Sequence, residues 1–105
     1  MGLLDILFGG GAKAAAQLKA LYESGAVIVD VRTAEEFRTG HIKDSINIPL
    51  QVLAQKTAEL KKKNKPVITV CRSGNRSGMA IGVLKQAGIE AYNGGPWNSL
   101  ERQIA

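Results

Sequence analysis

The run Cys71-Arg72-Ser73-Gly74-Asn75-Arg76-Ser77 brings together residue types that can do chemistry. A thiol attacks as its thiolate, and neighbouring guanidinium groups and a helix amino terminus both favour that form. Arg72 and Arg76 supply the guanidinium groups, and a helical pattern follows directly. Residues 72–77 can curl so that successive backbone N–H groups point inward, an anion nest above the positive end of that helix. The arginine forks suit a tetrahedral oxyanion such as thiosulfate, phosphate or arsenate. Ser73 and Ser77 add hydroxyl donors, Gly74 permits a positive φ, and Asn75 tolerates left-handed geometry or caps the helix. Cys71 is therefore the expected nucleophile, with Arg72, Ser73, Gly74, Asn75, Arg76 and Ser77 as its anion-binding ring. A free cysteine acting as a small buried hydrophobe would gain nothing from two guanidinium groups within five residues.

Such a loop needs a strand to deliver the thiol and a helix to receive the chain. Pro66-Val67-Ile68-Thr69-Val70 is an apolar, β-branched run that predicts the strand. Met79, Ala80, Val83, Leu84 and Ala87 recur at helical spacing after it, with Gly78 and Gly82 as a small face toward the sheet and Gly88 as the stop. Upstream, Ala14, Leu18, Leu21 and Tyr22 predict a helix ending at Gly25. Residues 26–31 predict a strand buried on both faces. Thr33-Ala34-Glu35-Glu36 matches a capping box for a short helix that stops at Gly40. Residues 45–48 read as a brief strand, and Pro49 suits the first turn of a helix whose stripe is Leu50, Leu53, Ala54, Thr57 and Leu60. Residues 89–92 predict a last strand, followed by Gly94-Gly95-Pro96 and a closing helix over 97–104. This alternation defines an α/β domain with a mostly parallel central sheet flanked by helices. In such sheets ligands bind outside the carboxyl ends of the strands, where Cys71 falls.

The composition fits one ordinary domain: 105 residues, 45% apolar and 22% charged. A chain of this size buries roughly 65% of the surface its unfolded form exposes, which suffices without disulfide or metal staples. Its single cysteine, Cys71, and single histidine, His41, can build neither an internal disulfide nor a Cys and His zinc cage, so no metal or cofactor is expected. The early apolar run at residues 3–8 is broken by Asp5 and is far short of the roughly 20 residues of a spanning helix. It is expected to dock or fray within an N-terminal extension, residues 1–10, ahead of the domain at 11–105. Met1-Gly2 lacks the Ser or Thr that myristoylation needs, since Ile6 holds that place. With no signal-peptide pattern, the expected location is cytoplasmic. Fourteen Lys and Arg against nine Asp and Glu leave a net charge of +5. The densest basic run, residues 61–65, is broken by Asn64 and has no aromatic residues for base stacking, so no nucleic-acid partner is expected. Lysines there instead complement the negative end of a helix dipole.

Several segments, in order, carry a family resemblance: Asp30-Val31-Arg32, Glu36-Phe37, Gly40-His41-Ile42, Ser45-Ile46-Asn47-Ile48-Pro49 and the Cys71 to Ser77 loop. Over about residues 26–95 the chain resembles the rhodanese family, the sulfurtransferases. The resemblance implies a single rhodanese-like domain in which Cys71 takes the outer sulfur of a small anionic donor such as thiosulfate, releases sulfite and becomes a persulfide. Cyanide, a thiol or another protein then accepts the sulfur, and the loop amides cradle it meanwhile. With no second cysteine to resolve the persulfide, discharge must go to an external nucleophile. Two departures stand out: Lys43-Asp44 replaces a frequent Pro-Gly, and Trp97 follows Gly95 by only two residues. A phosphatase or arsenate reductase is the rival enzyme, but phosphatases of this fold place Arg after five intervening residues. Ser77 stands there, and Arg76 comes after four, a ring better sized for sulfur than for a phosphoryl group. The rival of another class is a noncatalytic rhodanese-fold docking module, which often lacks the cysteine, or a dedicated persulfide carrier. Asp30 and Arg32 are expected to form a structural ion pair, His41 to cap or pack, and Trp97 to sit in the core or at its rim.

Overall fold

A computed structural model describes residues 11–105, so the extension at 1–10 with its apolar run lies outside the described residues. Helices and strands alternate as α1 (Gly11–Glu23), β1 (Val27–Asp30), α2 (Ala34–Thr39), β2 (Ile46–Asn47), α3 (Leu50–Lys62), β3 (Val67–Cys71), α4 (Asn75–Gln86), β4 (Ala91–Pro96) and α5 (Trp97–Ile104). The strands form one parallel sheet in the order β2-β1-β3-β4, with β3 in its interior. Strand alternation sends Val29, Val31, Val67 and Cys71 to one face, against Leu53 and Leu60 of α3 and Ala80 and Leu84 of α4. Ile28, Ile68 and Val70 turn to the other face, against Leu100 of α5 and Leu18, Leu21 and Tyr22 of α1. Burial on both faces is why β1 and β3 read as apolar runs interrupted only by Asp30 and Thr69. Cys71 thus closes the central strand on the side that α4 covers.

The capping box forms as expected: Thr33 Oγ1 accepts from the Glu36 N–H and Glu36 reaches back to the Thr33 N–H, starting α2. The Lys43-Asp44 departure is absorbed in a turn. Ser45 N–H donates to the Ile42 carbonyl at 3.0 Å while Asp44 takes a left-handed φ of 67°, a conformation that aspartate tolerates.

Four expectations need correction. Pro49 caps α3 from the position before its first turn. In α3 Ala54 is exposed, and Val52 packs on the core. In α4 the buried side chains are Ser77, Ala80 and Leu84, while Met79 is 58% exposed and Gly82 faces open space. Ala80, Val83, Leu84 and Ala87 face the core as expected, and the stripe begins at the polar Ser77 rather than at Met79. Lastly, β4 runs through Gly94 and Gly95 to Pro96. It gains one residue on β3 between the Thr69–Asn93 and Cys71–Pro96 pairings, a bulge. Gly94 permits this: a Cβ there would lie 2.8 Å from Ile68 Cγ2 and 2.9 Å from the Thr69 carbonyl oxygen.

Candidate active site

At the carboxyl end of β3 the chain turns through residues 72–74 into α4. Gly74 adopts a φ of +103°, open to glycine and strained for other residues, and its N–H donates to Cys71 Sγ at 2.9 Å. The Ser77 N–H donates to the same sulfur at 3.3 Å, and Ser77 Oγ lies 3.3 Å from it. Cys71 is fully buried under this loop. Burial alone pushes its pKa up, but hydrogen bonds from Ser77 and from the Gly74 and Ser73 amides outweigh that and hold the thiol below its ordinary value. Of residues 72–77, expected to line an anion nest, the amides of Ser73, Gly74 and Ser77 are directed at the sulfur.

Its walls extend beyond the loop. Asn93 on β4 donates from Nδ2 to the Gly74 carbonyl at 3.2 Å. Its Oδ1 accepts from the Gly95 N–H at 2.9 Å and from the Ser77 hydroxyl at 2.7 Å. Thr69, buried on β3, donates to the Ser77 carbonyl at 2.9 Å. Asn93 escapes sequence reasoning because the apolar pattern predicts a strand that stops at residue 92. The one available signal was a polar side chain immediately before Gly94-Gly95.

The two arginines part company. Arg72 and Ser73 are exposed at the mouth of the loop. Arg76, expected to face an anion, is bound bidentately by Glu36 at 2.7 and 3.0 Å across 40 residues of sequence. That grip, with the Thr33 N–H, brings the Glu36 carboxyl down to about 2, and Glu36 raises the Arg76 pKa in turn. Asn75 opens α4 without capping it, since Gly74 holds the cap position and no side chain bonds there.

Beneath the loop, Asp30 and Arg32 form the expected ion pair. Arg32 Nη2 donates to Asp30 Oδ2 at 2.7 Å and to the Gly40 carbonyl at 2.7 Å, and both side chains are buried. The guanidinium carbon stands 4.9 Å from the centre of the Trp97 ring, which places Trp97 as a packing partner of the pair. Asn47 Nδ2 bridges the carbonyls of Asp30 and Arg32 at 3.0 Å each. His41 stacks on Phe37 at 3.6 Å between ring centres, with a ring nitrogen 2.7 Å from the Phe37 carbonyl oxygen. Asp30, Arg32 and Asn47 tie the end of β1 to Gly40 and β2, and none of these residues touches the sulfur.

A parallel α/β sheet with a buried cysteine in an amide-lined loop, between its interior strand and the next helix, is the class of protein that this geometry defines. Residues 14–96 match the rhodanese-like domain, and the chain belongs to that family. The thiosulfate sulfurtransferase GlpE of Pseudomonas savastanoi is 40% identical over 73 residues, which cover 70% of this chain and 68% of that protein. The uncharacterized protein YibN of Escherichia coli is also 40% identical over 73 residues, 68% of this chain, and the match spans only 51% of YibN. Among solved structures, a rhodanese with anions from E. coli superimposes with a TM-score of 0.65 at 30% identity, covering 70% of this chain and 89% of that one.

Proposed function

We infer that the protein is a thiosulfate sulfurtransferase that carries a sulfane sulfur as a persulfide on Cys71. The observation that carries this reading is the sulfur's position at the end of β3, facing the Gly74 and Ser77 amides at 2.9 and 3.3 Å. Those amides stabilise a thiolate before reaction and a negatively charged outer sulfur after it. The Cys71 thiolate attacks the outer sulfur of thiosulfate, a new S–S bond forms, and the old one breaks with its electron pair leaving on sulfite. A thiophilic acceptor, whether cyanide, a thiol or a protein, then attacks the terminal sulfur and returns Cys71 as thiolate. Charge balances in both halves.

Arg72 at the rim draws the anionic donor in, while Ser73, Gly74, Asn75 and Ser77 supply the cradle. Arg76 contributes by fixing the loop through Glu36. Because the resting sulfur is fully covered, the loop at 72–74 parts to admit the donor. The domain at 11–105 performs this cycle, residues 1–10 form an extension, and a free thiol nucleophile is at home in the reducing cytoplasm. Similarity to a protein named for the activity supports the reading. The test is intact mass spectrometry before and after thiosulfate, then after cyanide. One added sulfur that cyanide removes, absent in a folded Cys71→Ala variant, is the expected result. A thiol that stays bare with thiosulfate and other sulfane donors overturns the assignment in favour of a docking module.

A further inference from the structure

We propose that Asn93 is a positioning residue that governs how readily Cys71 ionises, by holding the one hydroxyl proton of Ser77 away from the sulfur. Ser77 Oγ is buried between two neighbours that compete for that proton, Cys71 Sγ at 3.3 Å and Asn93 Oδ1 at 2.7 Å. A hydroxyl donates once. Which neighbour it serves is fixed by how the Asn93 amide is turned, and two independent contacts fix that. Nδ2 faces the Gly74 carbonyl, so it is the donor end, and Oδ1 faces the Gly95 N–H, so it is the acceptor end. Oδ1 therefore only accepts from Ser77, across the shorter of the two gaps.

The consequence depends on the state of the sulfur. As a thiol, Cys71 donates S–H to Ser77 Oγ, Ser77 donates to Asn93, and every proton in the chain has an acceptor. As a thiolate, the sulfur meets an oxygen lone pair unless the hydroxyl turns. If it turns, Ser77 Oγ and Asn93 Oδ1 face each other 2.7 Å apart with no proton between them. Ionisation costs one contact either way, and the thiolate is left mainly to the Gly74 and Ser77 amides. In the persulfide the inner sulfur carries neither a proton nor the full charge, so the Ser77 to Asn93 bond persists undisturbed. Compared with a Ser77 hydroxyl free to serve the sulfur, the arrangement shifts the balance toward the thiol and the loaded state, while the Gly74, Ser73 and Ser77 amides still hold the pKa below its ordinary value.

Other charges near the sulfur are committed elsewhere. Arg76 from α4 is held by Glu36 of α2, Asp30 at the end of β1 is held by Arg32, and Arg72 is exposed. Substitution at Asn93 leaves all of them in place. The consequence for turnover rests on the sulfur-transfer reading, but the ionisation itself is measurable without a donor.

The experiment is the pH dependence of Cys71 alkylation by iodoacetamide in the wild type, in Asn93→Ala and Asn93→Asp, and in Asn93→Ala combined with Ser77→Ala. Freeing the hydroxyl in Asn93→Ala should lower the midpoint by about one unit, the scale of one hydrogen bond to a charged group. Asn93→Asp, which keeps the acceptor and adds negative charge, should raise it. The Asn93→Ala shift should vanish when Ser77 is already alanine. An unchanged or raised midpoint in Asn93→Ala overturns the proposal. So does an equal drop without the Ser77 hydroxyl, because Asn93 would then act through loop shape alone. A protein that shows these shifts yet never takes up sulfur would sink the sulfurtransferase reading and leave this one standing.

Discussion

Two ion pairs flank the cysteine, and they are built on opposite principles. Asp30 and Arg32 are two residues apart at the end of an interior strand, with side chains 0% and 5% exposed, and Arg32 is further tied to Gly40 and stacked on Trp97. Glu36 and Arg76 are 40 residues apart, about a third exposed, and join α2 to the first turn of α4. The first pair is a sealed unit whose parts cannot be separated without stranding a charge. The second is a clasp at the surface that can open without burying anything unpaired. The end of β1 beside the cysteine strand is thus locked by a pair that cannot open, while α4, which follows the cysteine loop, is held to α2 by one that can.

The contrast breaks most visibly at Asp30. Asp30→Ala leaves the Arg32 guanidinium buried without its carboxylate and should cost about 3–5 kcal/mol of unfolding free energy in urea titrations. A loss below about 1 kcal/mol would mean that water reaches Arg32 and that the two pairs are alike. Glu36→Gln retains an acceptor for the Thr33 N–H and so removes chiefly the charge facing Arg76. At one-third exposure its cost, discounted for solvent screening, is about 1 kcal/mol. That cost carries a pH signature. The folded Glu36 carboxyl sits at about 2, below its unfolded value, so its contribution is full above the unfolded pKa and is lost as pH falls toward 2. Stability curves of wild type and Glu36→Gln should therefore converge as pH drops from about 4.5 to about 2. Curves that stay parallel through that window would remove Glu36 from the clasp.

The same contrast explains what the sequence disclosed. Asp30 and Arg32 are legible because their spacing at the end of an apolar run leaves a local partner as the cheapest way to bury both charges. The capping box, the Cys71 loop and the glycine stops are local in the same sense. The Glu36 to Arg76 clasp is invisible, since the capping box already gives Glu36 a use and nothing in the intervening sequence brings α2 beside α4. Asn93 is hidden because the apolar pattern ends at Tyr92. It keeps regular register opposite Thr69, on the face that Ala91 shares, and the bulge comes only after it, so Gly94-Gly95 looks like a stop when it is a place of close approach. Periodicity likewise finds the face of α4 but misses where it begins, because the first buried position is polar Ser77 and the apolar Met79 points outward. Fold class follows from local patterns, and the side chains that tune the sulfur come from contacts between distant segments.

The smallest effect separates the two pairs most cleanly. Salt screens charges that reach water and scarcely touches those that do not. Raising ionic strength from about 0.05 M to about 0.5 M should shrink the Glu36→Gln penalty by a few tenths of a kcal/mol, since part of the attraction across the clasp runs through solvent. The Asp30→Ala penalty should stay constant within error over the same range, its field lines running through Trp97, Gly40 and the strand ends. Equal salt dependence in the two variants would place both pairs in one electrostatic environment. An unscreened Glu36→Gln penalty would mean that the clasp works by geometry, through its two hydrogen bonds.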